Sequence, residues 1–196
     1  MENSKTLGEL LPLFYRSYNL EHDGGYIEKK VKIKVSSHFY FYIPNSNERR
    51  RCLLKHDLHH IITNYKSDFK GETEIGAWEI ASGCNDYIVA WVLDMYSMAW
   101  GFLFNLPGIF RAFLRGNCSK NLYNNIISNE QALNCTIIEL QNIFEIPDEK
   151  EIFHATVKEY LLFIFWVFIS GVVSLISILL LPLIIIYNII LFIKKD

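Results

Sequence analysis

The chain has 196 residues and a formal net charge of −2, too few for two full-sized enzyme domains and too little positive charge to hold nucleic acid by phosphate neutralisation. Hydrophobic residues make up 51% and charged residues 20%. The chain is therefore not disordered, and it carries more apolar surface than an average soluble protein.

Met1-Glu2-Asn3-Ser4-Lys5 lacks the basic flank and apolar run of a secretory signal, and Cys52, Cys84, Cys118 and Cys135 form no C-x-x-C pair. The expectation is a reducing, cytosolic-side setting in which all four cysteines are free packing residues. Residues 1–46 read as an irregular N-terminal arm. Asp23-Gly24-Gly25 marks a turn, Val31-Lys32-Ile33-Lys34-Val35 alternates as a short strand would, and the aromatic run Phe39-Tyr40-Phe41-Tyr42 follows. Arg49-Arg50-Arg51 is either the solvated start of a helix or a contact for anionic headgroups.

From Asn47 to Pro147 the periodicity is helical, with breaks expected at Lys70-Gly71, Leu106-Pro107-Gly108, Gly116-Asn117 and Ile146-Pro147. This spacing predicts four or five helices. Tyr87 to Leu106 carries a single charge, Asp94. It is either the central core helix or one wall of an apolar pocket, and the base rate for apolar helices favours the core.

No charged residue stands between Glu159 and Lys194. As one helix this stretch would be about 50 Å long, against a hydrocarbon core of about 30 Å, and Pro182 is the expected break or kink. A membrane span ending in a kinked segment is the preferred reading. A wedge re-entering one leaflet and a buried core helix are the alternatives. The expected fold is mainly α: an N-terminal extended arm (1–46), a helical domain (47–158) and a C-terminal hydrophobic membrane segment (159–196).

The residues that carry chemistry are concentrated in Lys55-His56-Asp57-Leu58-His59-His60 and Gly71-Glu72-Thr73-Glu74. Positions four apart share a helical face, so His56 and His60 can offer imidazole nitrogens to one metal, and an antiparallel return would bring Glu72 to them as an oxygen ligand. Asp57 points about 100° from His56. It serves either as a fourth ligand on a distorted helix or as a carboxylate that fixes an imidazole tautomer. His59 reads as solvated or as a proton-transfer neighbour, and Glu79 as a group supporting the ligands. His22, His38 and His154 have no partners at diagnostic spacing. A mixed nitrogen and oxygen set suits Zn²⁺, with iron or manganese as alternatives. The glutamate of H-E-x-x-H is missing after His56, which disfavours a peptidase, and no oxyanion-hole or nucleophile motif supports an unrelated hydrolase.

His56-Asp57-x-x-His60, eleven intervening residues and then Glu72 is similar to the H-D-x-x-H-x11-E signature of the Coq-four family of ubiquinone (coenzyme Q) biosynthesis proteins. The surroundings resemble that family too: Gly71-Glu72-x-x-Ile75, Arg115-Gly116, and Leu140-Gln141-x-x-Phe144-x-Ile146-Pro147. The likeness covers roughly residues 47–148 and leaves out the arm and the apolar tail. It implies a helical metalloprotein on a membrane face, with a zinc-type, catalytic site at His56, Asp57, His60 and Glu72 and a pocket for a prenylated quinone precursor. The implied activity is oxidative decarboxylation and hydroxylation at ring carbon one. The competing implication is a non-catalytic scaffold or lipid-presenting role in a ubiquinone-synthesis complex. The expected partners are the lipid bilayer, the prenylated precursor, other ubiquinone-synthesis enzymes and, in a homo-oligomer, further copies of the chain. The helical domain is expected on the cytoplasmic side.

Overall fold

The computed structural model describes residues 4–34, 40–148 and 155–193, the side chains of 31–34, 40–44 and 181–193 excepted. His38, Phe39, His154 and Lys194, named above, lie outside the described residues. The fold is mainly α, as the periodicity predicts. The N-terminal stretch is more regular than an arm. Thr6 and Glu9 form a reciprocal capping box that starts α1, Leu7–Ser17, and Leu7, Leu10 and Tyr15 are buried. Pro12 lies inside α1 and does not end it. The alternating segment forms β1, Lys30–Lys34, paired antiparallel with β2, Tyr40–Pro44.

Six helices rather than four or five follow in the central region: α2, Asn47–Thr63; α3, Phe69–Ser82; α4, Ile88–Phe104; α5, Leu106–Asn117; α6, Asn129–Asn134; and α7, Ile137–Ile143. The last two are too short to announce themselves by periodicity and are set by capping boxes at Ser128 and Thr136. The first break lies before Phe69, not at Lys70-Gly71. Asp68 caps α3 by accepting from the Gly71 N–H, and Gly71 sits within the first turn because a Cβ there would come 1.8 Å from the Lys66 carbonyl oxygen. The next break likewise falls one residue early, at Asn105, so that Leu106-Pro107-Gly108 open α5; α5 ends at Asn117 as the sequence puts it, and α7 ends at Ile143, shortly before Ile146-Pro147.

The central helix is α3, not α4. Ile75, Ala77 and Trp78 of α3 are fully buried, and they join Leu58 and Ile62 of α2, Ile109 and Phe113 of α5, and Leu140 and Phe144 of α7 in one cluster. Each large apolar side chain buried this way contributes about 1.5–3 kcal/mol. By contrast α4 buries only Ala90, Asp94, Met98 and Gly101, a single stripe, while Leu93, Trp100, Leu103 and Phe104 are exposed. Apolar content alone did not mark the core, because this helix has a second apolar environment to face.

The C-terminal helix α8 runs Val157–Ile193 without interruption, so Pro182 does not end it. Its 37 residues correspond to about 55 Å. The stretch Val157–Leu180 is long and apolar enough to cross a membrane, and only 11% of its most apolar window is buried, which argues against a core helix. Nor does α8 stand free. Trp166 stacks on Trp91, Phe163 meets Phe110 and Phe113 edge-on, and the Tyr96 hydroxyl donates to Ser177 Oγ at 2.7 Å. One stripe of α8 is thus docked on α4 and α5, and Leu161, Ile164, Phe165 and Phe168 on its other side are exposed.

Candidate metal centre

Two features of α2 aim its histidines. Asn64 ends the helix in the left-handed conformation, and the chain turns so that the Tyr65 carbonyl meets His60 Nδ1 at 3.0 Å. A carbonyl only accepts, so Nδ1 of His60 carries the proton and its Nε2 lone pair is free. The exposed carbonyls of the last turn are held from α7 and α5. Gln141 Nε2 donates to Ile62 O at 2.7 Å, and Arg115 donates to Thr63 O at 2.8 Å and to Pro147 O at 2.9 Å. Gln141 and Arg115 thereby fix the end of α2 that carries His60.

His56 is aimed by Glu79, whose carboxylate oxygens both lie 3.1 Å from His56 Nδ1. Glu79 also accepts from His59 Nδ1, 2.5 Å away. His59 is fully buried and takes the Leu122 N–H on its Nε2 at 3.0 Å. It is not solvated: both ring nitrogens are hydrogen-bonded, and burial lowers its pKa. His59 is a pillar that holds Glu79 in place.

With their Nδ1 atoms engaged, His56 and His60 present Nε2 atoms 3.2 Å apart. Glu72, on the antiparallel return of α3, closes the triangle: Oε2 is 3.5 Å from His56 Nε2 and Oε1 is 3.3 Å from His60 Nε2. Ser67 donates to Oε1 at 2.9 Å. Ligands at about 2.0–2.1 Å from a tetrahedral ion are separated from one another by about 3.3–3.4 Å. The separation of the two Nε2 atoms and their separations from the two Glu72 oxygens, a different oxygen for each histidine, are near that edge length, and two imidazole nitrogens this close need a cation between them, either a metal ion or a proton. Burial opposes charge on His56, yet the Glu79 and Glu72 carboxylates outweigh it and raise its pKa well above the ordinary histidine value. Burial likewise works against ionised Glu72, but the facing His56 and His60 imidazoles, protonated on Nε2 whenever no ion stands between them, hold its pKa well below the usual carboxylate range.

Asp57 is not in this group. Its Oδ2 accepts from the Tyr15 hydroxyl at 2.9 Å, on the side of α2 that faces α1, and burial raises its pKa to about 6. The helix is not distorted, so the 100° offset holds, and the carboxylate that fixes an imidazole tautomer is Glu79. A second group, His56, Glu79 and Asp94, is also close enough to share an ion. Burial, with the Glu79 charge, pushes the Asp94 carboxyl well above the ordinary range, and Cys84 Sγ donates to it at 3.2 Å. In this group the Cys84 thiol already donates to Asp94 and the His56 and His59 rings already engage Glu79, which gives both carboxyls a supporting role. Tyr15, Tyr65 and Ser67 carried no sequence signal for these contacts. Asp94 did, as the one charge in an apolar helix.

The cysteines divide. Cys52 and Cys84 are buried, as packing residues should be, whereas Cys118 is exposed and Cys135 partly so. The arginine cluster is the start of a helix: Ser46 caps α2, Arg49 donates to Asn45 Oδ1, and Arg51 pairs with Glu48 and Asp86.

His56 and Glu72 border a cavity of about 480 Å³ between α2, α3 and α4, whose wall includes Leu93, Asp94, Ser97 and Trp100. The pocket-wall reading of α4 is the one realised. An ion held by His56, His60 and Glu72 would lie at the edge of this largely apolar cavity. No protein-family model, curated protein or solved structure matches this chain.

Proposed function

We propose that the protein is a membrane-associated metalloprotein of ubiquinone biosynthesis, with His56, His60 and Glu72 holding a zinc-type ion and the adjacent cavity receiving a prenylated quinone precursor. The observation that carries this is the convergence of two free Nε2 atoms and one carboxylate at metal-ligand separations on the rim of an apolar cavity. The Coq-four motif that the chain resembles supports these three ligands and counts Asp57 as a fourth, whereas here Asp57 accepts a hydrogen bond from Tyr15. When bound, the ion would supply Lewis acidity towards a ring carboxylate or phenol oxygen. The chain's own side chains do the rest. Glu79 and the Tyr65 carbonyl orient the imidazoles, Ser67 steadies Glu72, and the walls from α4 exclude water from the ring. This favours catalysis at ring carbon one, where loss of the carboxylate as CO2 and its replacement by hydroxyl would need dioxygen or another external two-electron oxidant as co-substrate, with the helical domain on the cytoplasmic face.

A scaffold or lipid-presenting role is the second reading, favoured by one feature: the ligands come from two helices, so an ion would pin α2 to α3. Elemental analysis of purified wild type, His60→Ala and Glu72→Ala tests the centre. Stoichiometric zinc, iron or manganese in the wild type and loss in both variants is expected, and equal metal content in all three defeats the proposal. Catalysis further requires that a metal-free variant keep its circular dichroism spectrum while failing to restore ubiquinone to a deficient strain. Unfolding on metal removal supports the scaffold instead.

A further inference from the structure

At the C-terminal end of α4, on the faces away from its buried stripe, Trp100, Phe102, Leu103 and Phe104, with Leu106 at the start of α5, are all at least 44% exposed, and Phe69 of α3 is 59% exposed beside them. Trp100 stacks on Phe104, and Phe69 meets Phe104 edge-on. A packed aromatic cluster open to water is costly at about 25 cal/mol per Å² of apolar area and marks a surface with another destination. Its neighbour identifies that destination. Phe102 shares an almost wholly apolar cleft with Phe163, Ile164, Phe168, Val172 and Leu175 of α8. Those residues occupy the middle of Val157–Leu180, the stretch able to cross a membrane. If α8 spans, the end of α4 lies at the same depth.

We infer that the C-terminal end of α4, with Phe69 and Leu106, is embedded in the bilayer alongside α8, and that the metal-bordering cavity opens there into the lipid. Phe69 and Trp100 belong both to the exposed cluster and to the lining of the cavity, so the cluster is the collar of its mouth. Lys66 and Lys70 are exposed next to Phe69, at the height where headgroup phosphates lie, while α4 has no charge on its exposed side. A ligand entering there keeps its apolar chain in the membrane and brings only its polar head past Trp100 to His56 and Glu72. Loading is lateral, from the leaflet, with no aqueous passage. This rests on the membrane reading of α8 and on the cavity of the proposed function.

The test uses the full chain reconstituted in phosphatidylcholine–phosphatidylglycerol vesicles with and without bromine on the acyl chains, beside the Trp100→Phe variant. The difference between the two proteins isolates the emission of Trp100 from that of Trp78, Trp91 and Trp166. Brominated chains are expected to remove most of the Trp100 emission, with aqueous acrylamide having little effect. Quenching by acrylamide but not by bromine places the collar in water and overturns the inference. Protection from both indicates a second copy of the chain on this surface and overturns it equally. Metal content of the same preparations is measured separately, so a collar in water with metal present refutes only the lateral mouth, whereas absent metal refutes the centre.

Discussion

Glu79 holds two imidazoles at once, and each is a test of the other. Glu79→Gln leaves one amide oxygen to accept from two ring N–H groups, so His56 loses its fixed tautomer. Metal affinity is expected to fall about 10–100-fold, read by competition with a chromogenic chelator. Asp57→Asn, by contrast, keeps an acceptor for Tyr15 and is expected to retain full metal content. Loss of metal in that variant would return Asp57 to the ligand set. Asp94 gives a pH signature. Its folded-state pKa lies well above the ordinary 3.8, so the folded protein binds the proton more tightly than the unfolded chain does. The stabilisation is complete below about pH 4 and is lost as pH rises towards the folded pKa. Asp94→Asn keeps the shape and both hydrogen-bonding directions without that loss. Its melting temperature should match wild type near pH 4 and exceed it at pH 8; a gap of the opposite sign, or one independent of pH, contradicts a neutral buried Asp94.

At the scale of elements, the centre depends on how α2 ends and how α3 begins. Gly71 allows the Lys66 carbonyl against the first turn of α3, the turn that carries Glu72. Gly71→Ala forces that turn outward, and the expected result is loss of metal with most helicity kept; unchanged metal content would show that Glu72 is not placed by this contact. Arg115 donates to Thr63 O and Pro147 O from a nearly buried position. Replacing it by Met leaves those carbonyls without a charged donor, a loss of about 3 kcal/mol, seen as a lower urea midpoint in detergent. None of this placement is visible in spacing alone. The sequence marks Gly71 as a break and Arg115-Gly116 as a turn, while the structure puts Gly71 inside a first turn and Arg115 on a clamp within α5.

At the scale of the molecule, the apolar tail and the helical domain form one body. Because α8 is docked by Phe163, Trp166 and Ser177, a membrane crossed by α8 would also fix the position of the cavity. Carbonate washing should leave the protein in the membrane fraction, and its release would remove both the span and the lateral mouth. This coupling also explains why α4 misled the sequence reading. Its apolar residues are divided between a thin buried stripe, the contact with α8 and the exposed collar, and composition counts all three alike.

The sequence by itself determined that the chain is helical, that it carries an apolar segment of spanning length, and that His56, His60 and Glu72 belong together. Local periodicity, the absence of charge and the four-residue repeat of a helix encode those properties over short distances. Only the tertiary structure decided that Asp57 turns to Tyr15, that His59 is a buried support for Glu79, that α3 rather than α4 is central, and that α8 lies against the cavity-bearing helices. Each of these depends on which residues meet across long stretches of chain, and that is set by packing and by the pairing of buried polar groups rather than by local pattern.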